Sequence, residues 1–493
     1  MSYLKRYWLF LILALAVVIR CLSLVSRGIQ YDDAFSIFLA ERSLPEIVLG
    51  TAADTMPPLY YFILHFWLQI SQSLIWLRLL SILFSLAIVI FLYLLVKELF
   101  GRSAGLWAAF FAAISPLQYY HAQDIRMYAL LGCAQLAYTW FFVLIWKNDG
   151  LNGRQSIWSW VGLAIAGIAA MYTHNLAIFF LIVPDVFLLL ARNWRLLKKM
   201  MAVQVLIAVV ALPWLLQVPG QIDKIQRAFW TPSQGVVEVI QAVIVGTTNL
   251  PLSGVWLAVG LALSIAILIF IVLEFFLYRE DQAKRVLILL LTFLPPALLF
   301  AVSYMIRPVF VARGFLTSLA IYLGLAGVIV ARRWPKPVAV GIAISLVFAA
   351  MIGIPQQVSF AEFPRSPFQD AGAFLSSHLV SNDVVVHDDK LSYFPMHYYW
   401  PGLPEKFLAD VPGTPNDTYA TVSQVAMAIF PEPDIDTAVG LSHRVYFVVF
   451  QETIQEYQAA GQADHPQLIN LRKSFHQTGM FTFQDLLIYQ FER

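Results

Sequence analysis

The chain has few charged residues and almost no cysteine. Of its 493 residues, 13% are charged and 60% are hydrophobic, whereas an ordinary soluble domain has about 25% charged residues. Cys21 and Cys133 both fall in apolar segments, so we expect neither a structural disulfide nor a metal–thiolate site. The shortage of charge excludes an ordinary soluble domain and indicates a polytopic membrane protein.

The first apolar run extends from Tyr7 to Val25 and is preceded by basic residues. A secretory signal has an apolar region of about 7–15 residues followed by a small-residue cleavage site. This run is longer and has no convincing site, and Arg20 before Cys21 does not fit a lipoprotein signal. We therefore predict an uncleaved first span.

Apolar runs of about 17–25 residues are long enough to cross a bilayer, and we count about eleven of them. They lie near 7–25, 76–96, 103–120, 125–146, 156–173, 175–191, 200–218, 252–278, 286–306, 312–331 and 336–354. The stretch 57–72 is also apolar, but it is short and opens with two prolines. We predict that it forms a re-entrant or interfacial helix.

The basic residues predict the orientation. With the N-terminus inside and 57–72 not crossing, every short cytoplasmic connection is basic, as the positive-inside rule requires. The residues concerned are Lys5, Arg6, Lys97, Arg102, Lys147, Arg154, Arg192, Arg195, Lys198, Lys199, Arg279, Lys284, Arg285, Arg332, Arg333 and Lys336. We predict a multi-pass protein of the plasma (inner) membrane with a cytoplasmic N-terminus and an extracytoplasmic C-terminal domain.

The composition changes after about residue 355, where prolines and charged residues become common. Buried strands are predicted at 383–387, 444–450 and 486–489, and helices near 368–380 and 466–475. This alternation indicates a small α/β domain. We therefore divide the chain into a membrane domain at 1–355 and an extracytoplasmic α/β domain at 356–493.

Tyr31-Asp32-Asp33 places two adjacent carboxylates just after the first span. A carboxylate can accept a proton from an attacking hydroxyl, and partial desolvation raises its basicity. Asp is also a favoured N-cap residue, so helix capping is the alternative interpretation of Asp32 and Asp33.

Other ionisable residues lie at predicted outer span ends, where they are costly and usually functional. Asp54 precedes Pro57 and Pro58, a pattern that also fits a plain helix start. Asp124 and Arg126 lie two residues apart at the mouth of the fourth span. They are candidates for substrate binding, or alternatively for a structural ion pair.

Arg307 and Arg313 flank a short apolar turn at the head of the tenth span. Guanidinium groups suit a phosphate, although anchoring to lipid headgroups would also explain them. His174 precedes the sixth span, and a histidine there is more often structural than catalytic. Together these residues predict an outward-facing site at the membrane surface.

The order of these motifs resembles that of the GT-C glycosyltransferases, in particular protein O-mannosyltransferases and bacterial aminoarabinose transferases. The motifs are an acid after span one, Asp-x-x-Pro-Pro-Leu before span two, Arg-Met-Tyr at span four, Tyr-Thr-His before span six and Pro-x-Phe-x-x-Arg at span ten. The resemblance covers most of the membrane region. It implies an all-α polytopic fold with about eleven transmembrane helices and interfacial helices in the first outer loop, followed by the small α/β domain.

The resemblance also implies a donor and residue roles. The family uses polyprenyl-phosphate sugars and inverts the anomeric centre. Asp32 is then the candidate base, and Asp33, the second candidate catalytic residue, stands where the family usually has Glu, in a supporting role. Met56 departs from the histidine often found there, which leaves a metal or phosphate role at that position in doubt. The remaining matches, assigned to donor-phosphate or substrate binding, are Asp54, Asp124, Arg126, His174 and Arg313, with Arg307 nearby.

A lipid phosphate is already a good leaving group, so this chemistry needs cationic stabilisation and one base. We expect no required cofactor, and a divalent metal is compatible but not indicated. The expected partners are a polyprenyl-phosphate sugar, an acceptor (lipid, glycan or protein) and membrane lipids, with no nucleic acid. The alternatives are a lipid-linked sugar flippase or transporter, which would show midplane charges and paired repeats, and a surface-polysaccharide polymerase or ligase.

Overall fold

The computed structural model describes residues 2–148, 154–227, 231, 234–277, 281–305, 308–332, 336–359, 366–414 and 416–493. The chain divides into two compact units that are each discontinuous in sequence. The first unit comprises Met1–Leu24 and Thr51–Glu362, and the second comprises Val25–Gly50 and Phe363–Arg493. The predicted division at residue 355 therefore differs from these units at residues 25–50, which group with the C-terminal part of the chain.

The N-terminal third of the chain contains eight helices. They are α1 (Ser2–Arg20), α2 (Tyr31–Ala40), α3 (Leu44–Ala53), α4 (Leu59–Leu68), α5 (Leu74–Phe100), α6 (Arg102–Ile114), α7 (Pro116–Ala122) and α8 (Tyr128–Lys147). Helix α4 has ten residues, a length of about 15 Å, whereas the hydrocarbon core is about 30 Å thick. The prediction of a short helix within 57–72 is confirmed, and its re-entrant or interfacial placement stays a prediction.

Ten further helices lie among the described residues between 154 and 359. They are α9 (Arg154–Met171), α10 (Ile178–Leu181), α11 (Val183–Leu190), α12 (Trp194–Leu215), α13 (Val218–Arg227), α14 (Val236–Val245), α15 (Gly254–Leu277), α16 (Gln282–Met305), α17 (Leu316–Arg332) and α18 (Lys336–Ser359). Short 3-10 turns at Asn175–Ala177 and Ala312–Phe315 precede α10 and α17. The apolar run at 175–191 is therefore divided into a 3-10 turn and two short helices.

Seven helical segments among the described residues are long and apolar enough to cross a membrane. They are Leu74–Phe100, Tyr128–Lys147, Trp194–Leu215, Gly254–Leu273, Gln282–Met305, Ala312–Arg332 and Lys336–Ser359. The other predicted spans correspond to shorter apolar helices, because Ser115 and Pro116 begin a new helix within 103–120 and 175–191 is divided into three pieces. The multi-pass helical architecture is confirmed, and a count of eleven spans stays a prediction.

The core of the first unit forms where α6 and α17 approach closely. A Cβ atom at Gly327 would lie 2.6 Å from the backbone nitrogen of Ala108, so only glycine allows this approach. Arg20, at the end of α1, is fully buried. Its Nε donates to Ser85 Oγ at 2.8 Å and its Nη1 donates to the Ala113 carbonyl at 3.0 Å. This guanidinium therefore ties the C-terminal ends of α1 and α6 to the middle of α5.

The second unit contains a five-stranded sheet in the order β2-β1-β3-β5-β4. Strands β1, β2 and β3 are parallel, and β5 is antiparallel to β3 and β4. The strands are β1 (Asp383–His387), β2 (Glu405–Phe407), β3 (Arg444–Phe450), β4 (His476–Phe483) and β5 (Leu486–Glu492). The helices are α19 (Phe368–His378), α20 (Lys390–Tyr399), α21 (Thr421–Met427), α22 (Ile435–Val439), α23 (Gln451–Ala459) and α24 (Pro466–Ser474).

Alternating residues of the central strands enter two separate hydrophobic clusters. Val384 and Phe447 pack in one cluster, and Val385 and Val448 pack in the other with Phe368 of α19. Because both faces of the sheet are covered, the strands are continuous apolar runs. The predicted α/β domain is confirmed, including the helices near 368–380 and 466–475 and the three predicted strands.

Candidate functional site

The acidic pair lies in the first turn of α2, in the second unit. Asp33 is 3% exposed, and its Oδ2 accepts the Gln30 backbone N–H at 3.3 Å. Negative charge in the first turn of a helix is favourable because of the helix dipole. The N-cap residue of α2 is Gln30 rather than either aspartate, and Asp33 stabilises the helix start from the third helical position. Asp32 is half-buried and stays the candidate base.

Helix α2 is held against α20 within the same unit. The ring of Phe394 lies 5.2 Å from Tyr31, 6.3 Å from Phe35 and 5.7 Å from Phe38, measured between centroids. Tyr31, Phe35 and Phe38 follow the i, i+4, i+7 spacing that places side chains on one helix face. An aromatic contact therefore fixes the helix that carries the two carboxylates.

Asp54 lies in the first unit, immediately after α3. Its Oδ1 is 3.5 Å from Nζ of Lys224 on α13, and the same ammonium donates to the Ala53 carbonyl at 2.9 Å. Asn175 donates to the neighbouring Thr55 carbonyl at 2.8 Å and to Gln221 Oε1 at 2.8 Å. Asp54 is therefore embedded in a polar network, and Lys224 is a partner that the sequence motif did not reveal.

Asp124 and Arg126 lie between α7 and α8, and both are buried. Asp124 Oδ2 is 2.8 Å from His121 Nδ1. Arg126 Nη1 donates to the hydroxyl of Tyr61, on α4, at 3.3 Å. The structure therefore connects this turn to the short helix that follows the double proline.

His174 and Arg313 meet near Tyr128, the first residue of α8. The Tyr128 ring centroid lies 6.3 Å from the His174 ring and 5.8 Å from the Arg313 guanidinium carbon. His174 Nδ1 accepts the Leu176 backbone N–H at 3.1 Å. Burial, followed by the positive charges of Arg313 and Arg126, lowers the pKa of His174 to about 3. The imidazole is therefore neutral near pH 7, and the two arginines set a positive potential around it.

The structure brings four of the predicted site residues together around Tyr128, all in the first unit. These are Asp124, Arg126, His174 and Arg313. Asp54 lies in the same unit, Asp32 and Asp33 lie in the second, and Arg307 falls outside the described residues. Tyr61 and Tyr128 were not predicted as site residues, although an aromatic residue at the head of a span is a recognised interfacial signal.

The residues around Tyr128, called the Tyr128 cluster, can bind an anion. They do not offer a protonated histidine as a proton donor. Its histidine is neutral, while Arg126 and Arg313 stay charged at any physiological pH. Forked guanidinium groups bind phosphate through charge-assisted hydrogen bonds. Among the described residues, no group of three or more His, Cys, Asp or Glu side chains is placed to hold a metal ion.

The chain is similar to known membrane glycosyltransferases. The sequence profile of the dolichyl-phosphate-mannose-protein mannosyltransferase family matches residues 55–217. The fold matches ArnT from Cupriavidus metallidurans bound to undecaprenyl phosphate, with 13% identity and a TM-score of 0.62 over 98% of each chain. It also matches the oligosaccharyltransferase of Archaeoglobus fulgidus in complex with Zn and sulfate, with 13% identity and a TM-score of 0.58 over 98% of this chain and 72% of that one. No protein with a curated description matches the chain.

The chain therefore has the fold of ArnT, and its described residues include seven helices that are long and apolar enough to cross a membrane. The predicted resemblance to protein O-mannosyltransferases is confirmed for residues 55–217 by the family profile. The fold match to ArnT extends along nearly the whole chain.

Proposed function

We propose that the protein transfers a sugar from a polyprenyl-phosphate donor to an acceptor hydroxyl at the outer face of the membrane. The observation that carries the proposal is the pair of arginines, the buried Arg126 and the half-buried Arg313, beside the neutral His174. The fold supports it, because ArnT has the same architecture and was crystallised with undecaprenyl phosphate. The archaeal oligosaccharyltransferase, of similar fold, was solved with a dolichol-phosphate.

In the proposed reaction, the bond between the anomeric carbon and the phosphate oxygen breaks while the acceptor oxygen attacks from the opposite face. Asp32 takes the acceptor proton, and the lipid phosphate leaves with the bonding electrons. The arginines stabilise the charge that develops on the phosphate. Glycosidases need a general acid as well as a base, but a phosphate leaving group removes that need. The configuration of the sugar is therefore inverted, and the step needs no cofactor.

The proposed orientation follows from the basic connections between the spans. Lys97, Arg102 and Lys147 belong to connections placed in the cytoplasm. The Tyr128 cluster lies at the other end of α8 from Lys147, and thus on the outer side. The second unit, which carries Asp32 and the α/β sheet, is extracytoplasmic in this arrangement.

The test is sugar transfer from a panel of radiolabelled undecaprenyl-phosphate sugars in proteoliposomes, with the native chain compared with Asp32→Asn. We expect transfer by the native chain and a loss of about 10³-fold or more in the variant, with donor binding retained. The matched control is Asp33→Asn, in which an amide oxygen can still accept the Gln30 N–H, and a loss below about tenfold is expected.

Equal losses in the two variants would contradict the assignment of Asp32 as the base. If no donor were consumed while lipid-linked sugar crossed the bilayer, the protein would be a transporter instead. Product configuration, read by NMR from the transferred sugar, distinguishes inversion from retention.

A further inference from the structure

Helix α2 is too short to hold its own conformation. It has ten residues, and isolated helices shorter than about 12–15 residues are marginal in water. Its order must come from tertiary packing. The position of Asp32 therefore depends on whatever α2 packs against.

The surface that meets α2 belongs to α20, far along the chain. Phe394 is fully buried and contacts Tyr31, Phe35 and Phe38 of α2 at 5.2, 6.3 and 5.7 Å between centroids. Aromatic pairs at these separations add to the stability that area burial already gives. One side chain thus contacts all three aromatic residues of α2.

A hydrogen bond fixes the chain just before α2. The backbone N–H of Ile29 donates to the Tyr399 hydroxyl at 3.0 Å, and Ile29 is fully buried. This bond sets the path by which the chain enters the helix, two residues before Tyr31. Helix α20 therefore constrains both the start and the face of α2.

A third contact lies at the other end of α2. The His397 ring packs edge-on against Phe38 at 5.5 Å, and His397 Nδ1 is 2.9 Å from Glu405 Oε1. Burial raises the pKa of Glu41, the residue that follows α2, against the opposing charges of Arg42 and His397. The contact between the helices thus extends along the full length of α2.

Helix α20 is itself firmly seated on the parallel edge of the sheet. Asp389 caps it by accepting the Leu391 and Ser392 backbone N–H groups at 2.9 and 3.2 Å. The Tyr393 ring stacks on Phe407 of β2 at 4.5 Å. Because α20 is fixed to the sheet, it can serve as a rigid support for α2.

We infer that Phe394 and Tyr399 of the C-terminal α/β fold are positioning residues for Asp32. This inference rests on the proposed transfer reaction. The α/β part of the chain is then a required component of the catalytic apparatus, because it holds the helix that carries the base. A displacement of about 1 Å at a reacting group can lower a rate by about 100-fold.

The test uses the full-length protein in proteoliposomes and the undecaprenyl-phosphate sugar that the native chain consumes. Phe394→Leu keeps an apolar side chain but removes the ring, and Tyr399→Phe removes only the hydroxyl. We expect kcat to fall about 10- to 100-fold for Phe394→Leu and about 3- to 10-fold for Tyr399→Phe. The donor KM should stay within about twofold of the native value, because the phosphate-binding residues are unchanged.

Two control variants in the same unit match these changes. Phe374→Leu alters an aromatic cluster of α19 with Phe481, at 4.4 Å. Tyr446→Phe removes a buried hydroxyl that donates to the His378 carbonyl at 3.5 Å. Neither residue is among the aromatic contacts of α2, so kcat should stay at the native value.

Deuterium exchange of the 31–40 amides gives a readout that does not depend on turnover. Exchange should be faster in Phe394→Leu than in the native chain, and unchanged in Phe374→Leu. Native kcat in both test variants, or equal losses in test and control variants, would overturn the inference. A native chain that consumes no donor at all would instead refute the proposed function.

Discussion

Removing the guanidinium of Arg313 is the most direct test of the anion site. In Arg313→Ala, the cation that lies 5.8 Å from the Tyr128 ring is lost. Arg332 provides a matched control at the C-terminal end of α17, the helix that follows the 3-10 turn carrying Arg313. Its guanidinium carbon lies 5.4 Å from the Phe100 ring, so both substitutions delete one arginine that lies over an aromatic ring.

The expected magnitude follows from the type of contact. A hydrogen bond to a charged group is worth about 1.5–3 kcal/mol, which corresponds to about 10- to 150-fold in a dissociation constant. The stability lost with each arginine–aromatic contact is about 0.5–1 kcal/mol and is similar in the two variants. Only the difference between them therefore reports on phosphate binding.

The assay is the binding of undecaprenyl phosphate to the purified full-length protein in nanodiscs, measured at two salt concentrations. Arg313→Ala should weaken binding about 10- to 150-fold, and Arg332→Ala should leave it unchanged. Arg313→Lys should fall between them, because an ammonium keeps the charge but not the planar fork. Native affinity in Arg313→Ala, or equal weakening in both alanine variants, would refute a phosphate site at Arg313.

Two further predictions concern charged groups elsewhere in the chain. The first concerns the pair of Asp54 and Lys224, whose charged atoms lie 3.5 Å apart. In a double-mutant thermal-unfolding cycle, Asp54→Asn and Lys224→Met should show a coupling free energy of about 0.5–1 kcal/mol. Strictly additive effects of the two substitutions would show that the pair contributes nothing to stability. Burial, and then the charge of Asp388, raises the pKa of Asp389 from 3.8 to about 7, so the folded state loses stability as pH rises from about 4 to 7. Asp389→Asn keeps the oxygen that caps α20 and removes the negative charge. It should therefore raise the free energy of unfolding by about 1–3 kcal/mol at pH 8 and by less at pH 5. An equal gain at both pH values would contradict the raised pKa.

The sequence predicted the strongly patterned elements well. The strand at 444–450 is a continuous apolar run because helices cover both faces of the sheet, and such a run is visible without a structure. The short strand Glu405–Phe407 and the helix Lys390–Tyr399 were not predicted, because Pro404 and Pro395 interrupt the apolar pattern there. The helix breaks at Ser115 and within 175–191 were not predicted either. The apolar run continues through both breaks, so the sequence pattern does not mark them.

The candidate site was predicted in part. Asp124, Arg126, His174 and Arg313 were all chosen from the sequence as charged or polar residues at span ends, and the structure places them around one tyrosine. Their separation along the chain gives no distances, so the pairing of Asp124 with His121 and of Asp54 with Lys224 could not be foreseen. The sequence around residues 25–50 also does not indicate that this segment groups with the C-terminal part of the chain. That grouping depends on an aromatic contact between helices that are far apart in the sequence.

The distance along the chain between α2 and α20 also sets an order of events during synthesis. Ile29 and its hydrogen-bond partner Tyr399 are 370 residues apart. At about 5–20 residues per second, Tyr399 leaves the ribosome roughly 20–75 s after Ile29. Throughout that interval the segment that carries Asp32 lacks the helix that supports it. In the proposed mechanism, a prematurely terminated chain that already contains Arg126 and Arg313 would therefore lack a positioned base, and activity would begin only when translation is nearly complete.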